Sequence, residues 1–179
     1  MSVQLGNDFR YLASQMLQCE PDVAWPAREE AAAGYVAAAS IAYKTYQVQE
    51  QLKLQSIFAE TNHFADLSED QEYQRAESAV AELLHLCTDG QPLVDDHLYH
   101  ELVGALVETV SVLAVDSVLA MEDITEVESQ RIESLMKGLE SMQRLFRNDN
   151  LQLSSVATFA PHWLKMCYTT ELLVSDRHI

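Results

Sequence analysis

Between Leu102 and Met121 the chain reads LVGALVETVSVLAVDSVLAM, twenty residues that are apolar on almost every side. That length could span a bilayer, but Glu108 and Asp116 lie inside the run, and on insertion scales each acid near a bilayer centre costs roughly 2.5 to 3.5 kcal/mol. The sequence therefore predicts no membrane span. A helix that is hydrophobic nearly all round and stays out of lipid belongs in the middle of a helical bundle, covered by its neighbours.

The rest of the chain suits that role. In 179 residues, 48% hydrophobic, there are only five glycines and four prolines, and strand-like alternation is scarce. These features predict an all-α fold in a single domain over residues 1–179. Cys19, Cys87 and Cys167 are far apart and form no Cys-x-x-Cys pair, so they read as reduced core thiols of a cytoplasmic protein. No basic start followed by an apolar stretch marks a secretory signal.

The formal net charge is −17, and from Glu60 to Glu128 there are seventeen acids and one base, Arg75. Direct nucleic-acid binding depends on clustered Lys and Arg, and this distribution argues against it. A basic protein partner fits better, although acids also serve solubility and helix N-termini.

In chain order, Leu5, Phe9, Leu12, Met16 and neighbours give a first helix from Val3 to Cys19, closed by Glu20-Pro21. A long helix is expected from Pro26 to about His63, with a break near Gly34 or a protruding end. Ser68 and Gln71 have capping-box spacing for a third helix ending near Cys87, and TDGQP at Thr88 to Pro92 is the clearest turn. Asp95 should cap the central helix, about 95–121. Asp123 with Glu126 should cap a fifth, whose core face includes Val127, Ile132, Leu135, Met136, Leu139, Met142 and Phe146. Pro161 starts or kinks the last helix, with Trp163, Leu164, Cys167 and Val174 on its buried side. The expected architecture is an antiparallel bundle of five to six helices around the central apolar one.

Several constellations could carry function. Gly34, Ala38 and Ala42 lie four apart and would admit a close helix, either of this chain or of a second copy in a homodimer. Glu-x-x-His occurs twice, at Glu60 with His63 and at Glu82 with His85, a spacing used by carboxylate-bridged di-metal bundles. A helical hairpin separates the two pairs. Levels across the TDGQP turn instead gather Glu82, His85, His97 and Glu101 as a divalent-metal candidate of mixed nitrogen and oxygen ligands. On a helical wheel Glu108 falls in a polar stripe facing water. Asp116 falls among apolar positions and reads as a buried acid, paired to an arginine such as Arg131 or hydrogen-bonded to a Tyr or Thr.

If the third, central and fifth helices run up, down and up, the starts of the third and fifth share one end. That end gathers Asp66, Glu69, Asp70, Glu72, Glu122, Asp123, Glu126 and Glu128 without a base. There is no Gly-rich phosphate loop, no Gly-x-Ser-x-Gly elbow and no Glu-x-x-Glu paired with a Glu-x-x-Asp as helical nucleotide pyrophosphohydrolases use for magnesium. Asp96-His97-Leu98 and the later Phe159 to His162-Trp163 resemble, in order only, the helical chaperones that mature molybdenum redox enzymes. The Ala-rich second helix departs from that family, so the resemblance assigns no membership.

The sequence thus favours a non-enzymatic interaction protein, such as an adaptor, chaperone, immunity-type antagonist or acidic mimic. It would need no cofactor and would engage a basic partner through the acidic end. The alternative is a metal-binding helical-bundle protein or oxidoreductase using Glu82, His85, His97 and Glu101.

Overall fold

The computed structural model describes residues 3–18, 25–88, 96–146 and 153–175, with the side chains of 96–97 and 153–155 excepted. Within these residues the protein is all-α, with seven α-helices and two short 3-10 segments. Asp95, the expected cap of the central helix, lies outside the described residues, as do Cys19 and the TDGQP turn beyond Thr88. The chain forms two compact units, one of residues 1–49 with 91–95 and the other of residues 50–90 with 96–179.

In the smaller unit, α1 (Val3–Leu17) packs on the first part of α2 (Trp25–Ala59). A Cβ on Gly6 would come within 2.5 Å of the Tyr43 ring, so only glycine admits this crossing. The Tyr43 hydroxyl donates to Asn7 Oδ1 at 2.7 Å, and the Phe9 and Tyr35 rings lie 6.0 Å apart. Asn7 meets Tyr43 and Phe9 meets Tyr35, so the two helices run in opposite directions. The expected break at Gly34 does not occur, since α2 is continuous through it for 35 residues. One glycine costs a helix only about 1 kcal/mol, which the flanking alanines offset.

The larger unit holds the end of α2, then α3 (Asp70–Thr88), α4 (Asp96–Leu119), α5 (Glu126–Glu140), α6 (Leu153–Phe159) and α7 (Trp163–Ser175). α3 begins two residues later than the Ser68 signal suggests. Its buried face is Ala76, Ala79, Val80, Leu83 and Cys87. α4 is the one described helix long and apolar enough to cross a membrane, and 61% of that window is buried inside the fold. Leu102, Val103, Leu106, Val107, Val110, Ala114 and Val115 carry that burial. Gln51 of α2 donates to Thr109 Oγ1 at 3.0 Å and to the Ala105 carbonyl at 3.3 Å, which ties α2 to α4 within the unit.

α5 starts on a capping box, but the cap is Thr125 with Glu128, not Asp123 with Glu126. Ile132, Leu135, Met136 and Leu139 are buried as their spacing predicts, and a 3-10 segment from Ser141 to Phe146 continues the core through Met142, Leu145 and Phe146. Val127, expected in the core, is 49% exposed because it lies in the first turn after the shifted cap. Pro161 falls between α6 and α7. The buried side of α7 is Trp163, Met166, Thr170 and Leu173, while Leu164 is exposed and Cys167 and Val174 are half-buried. The observed stripe follows three- and four-residue steps from Trp163, so Leu164, one residue on, points away, while Cys167 and Val174 lie on its edge.

Helix directions follow from pairwise contacts. Arg131 reaches Leu67, Ser68 and Asp70 beside the start of α3, and a Cβ on Gly138 would lie 3.2 Å from Val80, so α3 and α5 run the same way. Ser129 Oγ near the start of α5 donates to the Leu173 carbonyl near the end of α7 at 3.0 Å, and Glu140 at the end of α5 lies near Cys167, so α5 and α7 run oppositely. The starts of α3 and α5 therefore share one end of this unit.

Candidate functional site

The acidic end is built around a sharp connection between α2 and α3. After Ala59 the chain leaves the helix, and Asn62, His63, Phe64 and Asp66 all take left-handed φ values between 51 and 64°. That region costs a side-chain-bearing residue up to about 1–2 kcal/mol, the most for Phe64 and less for Asn, Asp and His. Phe64 and Leu67 offset much of that cost. Both are buried, Phe64 packs edge-on against Phe58 with centroids 5.4 Å apart, and burying side chains of this size is worth about 1.5–3 kcal/mol each. The Thr61 hydroxyl, itself buried, donates to the Phe58 carbonyl at 2.7 Å and closes the end of α2.

The turn separates two open clefts. On one side, about 510 Å³ is lined by Glu60, Asn62, Asp66, Glu69 and Glu72, with Arg75 the cation among them. Arg75 sits 3.2 Å from Glu72, and Asn62 Nδ2 reaches Asp66 Oδ2 at 3.5 Å. On the other side, about 480 Å³ is lined by His63, Leu113, Asp116, Ser117, Ala120 and Met121, together with Ala65. His63 Nδ1 and the buried Ser117 hydroxyl lie 3.4 Å apart there, at the long limit of a hydrogen bond.

The expected acidic group is partly assembled. Asp66, Glu69 and Glu72 line the first cleft beside Glu60, which the sequence reading assigned to a metal spacing. Asp70 pairs with Arg131, whose guanidinium also donates to the Leu67 and Ser68 carbonyls at 2.7 and 3.0 Å and lies 5.0 Å from the Tyr73 ring. The acidic end is therefore not free of bases, because Arg131 is built into it. Glu122 and Asp123 are exposed in the α4–α5 connection. Glu126 accepts from Gln130 at 3.4 Å. Glu128 belongs to the α5 cap, where the Thr125 hydroxyl and then the Thr125 backbone N–H hold its carboxyl below the usual range.

Asp116 is exposed and not a buried acid, and Arg131 is not its partner. The apolar faces of α4 are covered less completely toward its C-terminal end, where Leu119 and Ala120 are also exposed. Glu108, expected to face water, meets His162 instead: it accepts the His162 backbone N–H at 2.9 Å and pairs with the ring Nδ1.

Glu82, His85 and Glu101 are exposed, and the His97 side chain lies outside the described residues. Among the described residues no group of three or more His, Cys, Asp and Glu is placed to hold a metal ion. Glu60 and His63 do not act as a helical pair, since α2 ends at Ala59 and the two line different clefts. Gly34, Ala38 and Ala42 do not share one open face: Gly34 is exposed, Ala38 half-buried and Ala42 fully buried inside the smaller unit. Burial pushes the Cys87 thiol up to about 12, and burial with nearby Glu140 and Glu171 pushes Cys167 up to about 11, so both stay protonated at neutral pH.

Sequence reasoning missed the Glu108–His162 pair and the paired clefts. Gly104 and Glu108 are one turn apart on α4, as Phe159 and His162 are across the α6–α7 junction, and that matched spacing is the only local signal of their meeting. No protein-family model, no curated protein and no solved structure matches the chain.

Proposed function

We propose that this protein is a non-enzymatic binding protein whose acidic end engages a basic segment of a partner protein. The observation that carries this reading is the cleft in which Glu60, Asp66, Glu69 and Glu72 stand around a single arginine, Arg75. Arg131 does not neutralise that cleft, because its guanidinium is held by two backbone carbonyls and Asp70. A Lys- or Arg-bearing segment would satisfy carboxylates that otherwise repel one another. Exposed pairs of this kind contribute roughly 0.2–1 kcal/mol each, so affinity would come from several acting together, and steering would raise the association rate.

A lysine-rich synthetic peptide followed by fluorescence anisotropy tests the reading. Binding should weaken steeply as salt is raised through the physiological range, where the screening length is about 8 Å. The double substitution Glu60→Gln with Glu69→Gln should weaken it severalfold, since both side chains are exposed and removing them disturbs no core. Binding that ignores salt and these substitutions would overturn the proposal.

A further inference from the structure

We infer that the basic segment carries a bulky apolar side chain next to its Lys or Arg residues, and that this side chain seats in the second cleft, against Leu113, Ala120 and Met121. This rests on the acidic-end reading and goes beyond it by stating what else the partner must present.

The two clefts share a wall. Asn62 and Asp66 face the acidic side, while His63 and Ala65, their immediate chain neighbours, face the other. Consecutive Cα atoms are about 3.8 Å apart, so a chain crossing this turn passes from one cleft to the other within a few residues. The second cleft offers apolar surface from Ala65, Leu113, Ala120 and Met121, and Leu119, adjoining Ala120 in the chain, is 63% exposed. Its charged lining residue is Asp116, an exposed carboxylate. Glu122 and Asp123 follow directly after Met121 and are also exposed. An apolar floor with one carboxylate in its wall, the acidic cleft on one side and two exposed acids following Met121 in the chain, favours an occupant that is apolar at its centre and cationic beside it, and it disfavours acidic segments. Buried Phe64 and Leu67 and the Thr61 hydrogen bond to Phe58 anchor the shared wall, so the spacing between basic and apolar groups is set before anything binds.

The test uses the full chain and three synthetic peptides of equal length: lysines flanking Leu-Phe, the same lysines flanking Ser-Ser, and serines flanking Leu-Phe. The first should bind roughly tenfold or more tighter than the second, as expected for burying one large apolar side chain. The third should not bind measurably. Ala120→Gln, at an exposed position, should fill the cleft without adding charge and remove the preference for Leu-Phe while leaving the lysine–serine peptide unaffected. Met121→Gln should act in the same direction. Glu60→Gln with Glu69→Gln should weaken both lysine peptides equally.

If both lysine peptides bind alike and Ala120→Gln changes nothing, the apolar cleft is not part of the site and this inference fails while the acidic-end reading stands. If neither binds, both fall. Tight binding of the uncharged Leu-Phe peptide would overturn the basic-and-apolar pairing. A dimer that Ala120→Gln dissociates, with no peptide binding, would assign the cleft to a second copy and overturn the inference.

Discussion

Glu108 grips His162 at two points, accepting its backbone N–H at 2.9 Å through one carboxylate oxygen and pairing with its ring Nδ1 through the other. The residues are 54 apart in sequence, and the contact fixes the chain just after Pro161, where α7 begins. Glu108 is only 26% exposed at its side chain, so the pair is screened less than a fully surface one. Glu108→Ala should destabilise the fold by about 1–2 kcal/mol, since hydrogen bonds to a charged group are lost and the α7 start is released. Glu108→Gln, which keeps an acceptor for the backbone N–H, should cost less. Urea unfolding of the two variants measures the difference, and equal costs would mean that the charge on Glu108 is irrelevant.

Two glycines make opposite predictions. A Cβ at Gly104 would lie 2.4 Å from the Phe159 Cβ and 2.9 Å from its carbonyl oxygen, and backbone cannot move aside cheaply. Gly104→Ala should therefore destabilise by about 1–3 kcal/mol despite the better helix propensity of alanine. At Gly34 nothing lies within 4 Å, so Gly34→Ala should stabilise by about 0.5–1 kcal/mol. Thermal unfolding of both variants reads the two signs directly.

The local periodicity of the chain carried the helices further than it carried the site. α5 was legible because Ile132, Leu135, Met136 and Leu139 repeat at steps of three and four, and their burial follows from that period alone. Its cap was readable in kind but not in place. Asp123 with Glu126 and Thr125 with Glu128 are overlapping strings of the same type, and only the packed structure selects the second. Asp116 was misread because a wheel assumes equal cover along a helix, whereas the C-terminal end of α4 is left open. The turn at Asn62 to Asp66 had no glycine to announce it. Asn, His and Asp tolerate the left-handed region better than most residues, but Phe64 does not, and its conformation is imposed by burial against Phe58.

That turn gives a third prediction. His63 sits at φ 51° and ψ 35°, a strained conformation for a side-chain-bearing residue but an ordinary one for glycine. His63→Gly should relieve up to about 1–2 kcal/mol of strain. Part of that gain is lost because glycine loosens the unfolded chain and because the 5.8 Å ring contact with Phe58 disappears, leaving a net stabilisation of roughly 0.5–1 kcal/mol. An increase in the urea midpoint checks it, and a clear decrease would mean that the ring contacts outweigh the strain.

The α5 cap predicts a pH dependence whose sign is fixed by the depressed Glu128 carboxyl. The Thr125 hydroxyl donates to Glu128, the Thr125 backbone N–H donates to it at 3.0 Å, and the Glu128 backbone N–H donates back to the Thr125 hydroxyl at 3.3 Å. Because these bonds favour the ionised carboxylate, the folded chain binds its proton less readily than the unfolded chain does. The resulting stability is fully present above the unfolded glutamate value, about 4.3, and is lost as pH falls through the lower folded value. Glu128→Gln should therefore lower stability at neutral pH and flatten its decline below about pH 5, where the wild-type chain is losing the same interaction. Thr125→Ala should cost about 1 kcal/mol at neutral pH by removing the hydroxyl of the cap. Urea titrations of wild type and both variants across this range test the sign: wild type and Glu128→Gln should differ most near neutrality and converge in acid, and a difference that grows toward low pH would contradict the assignment.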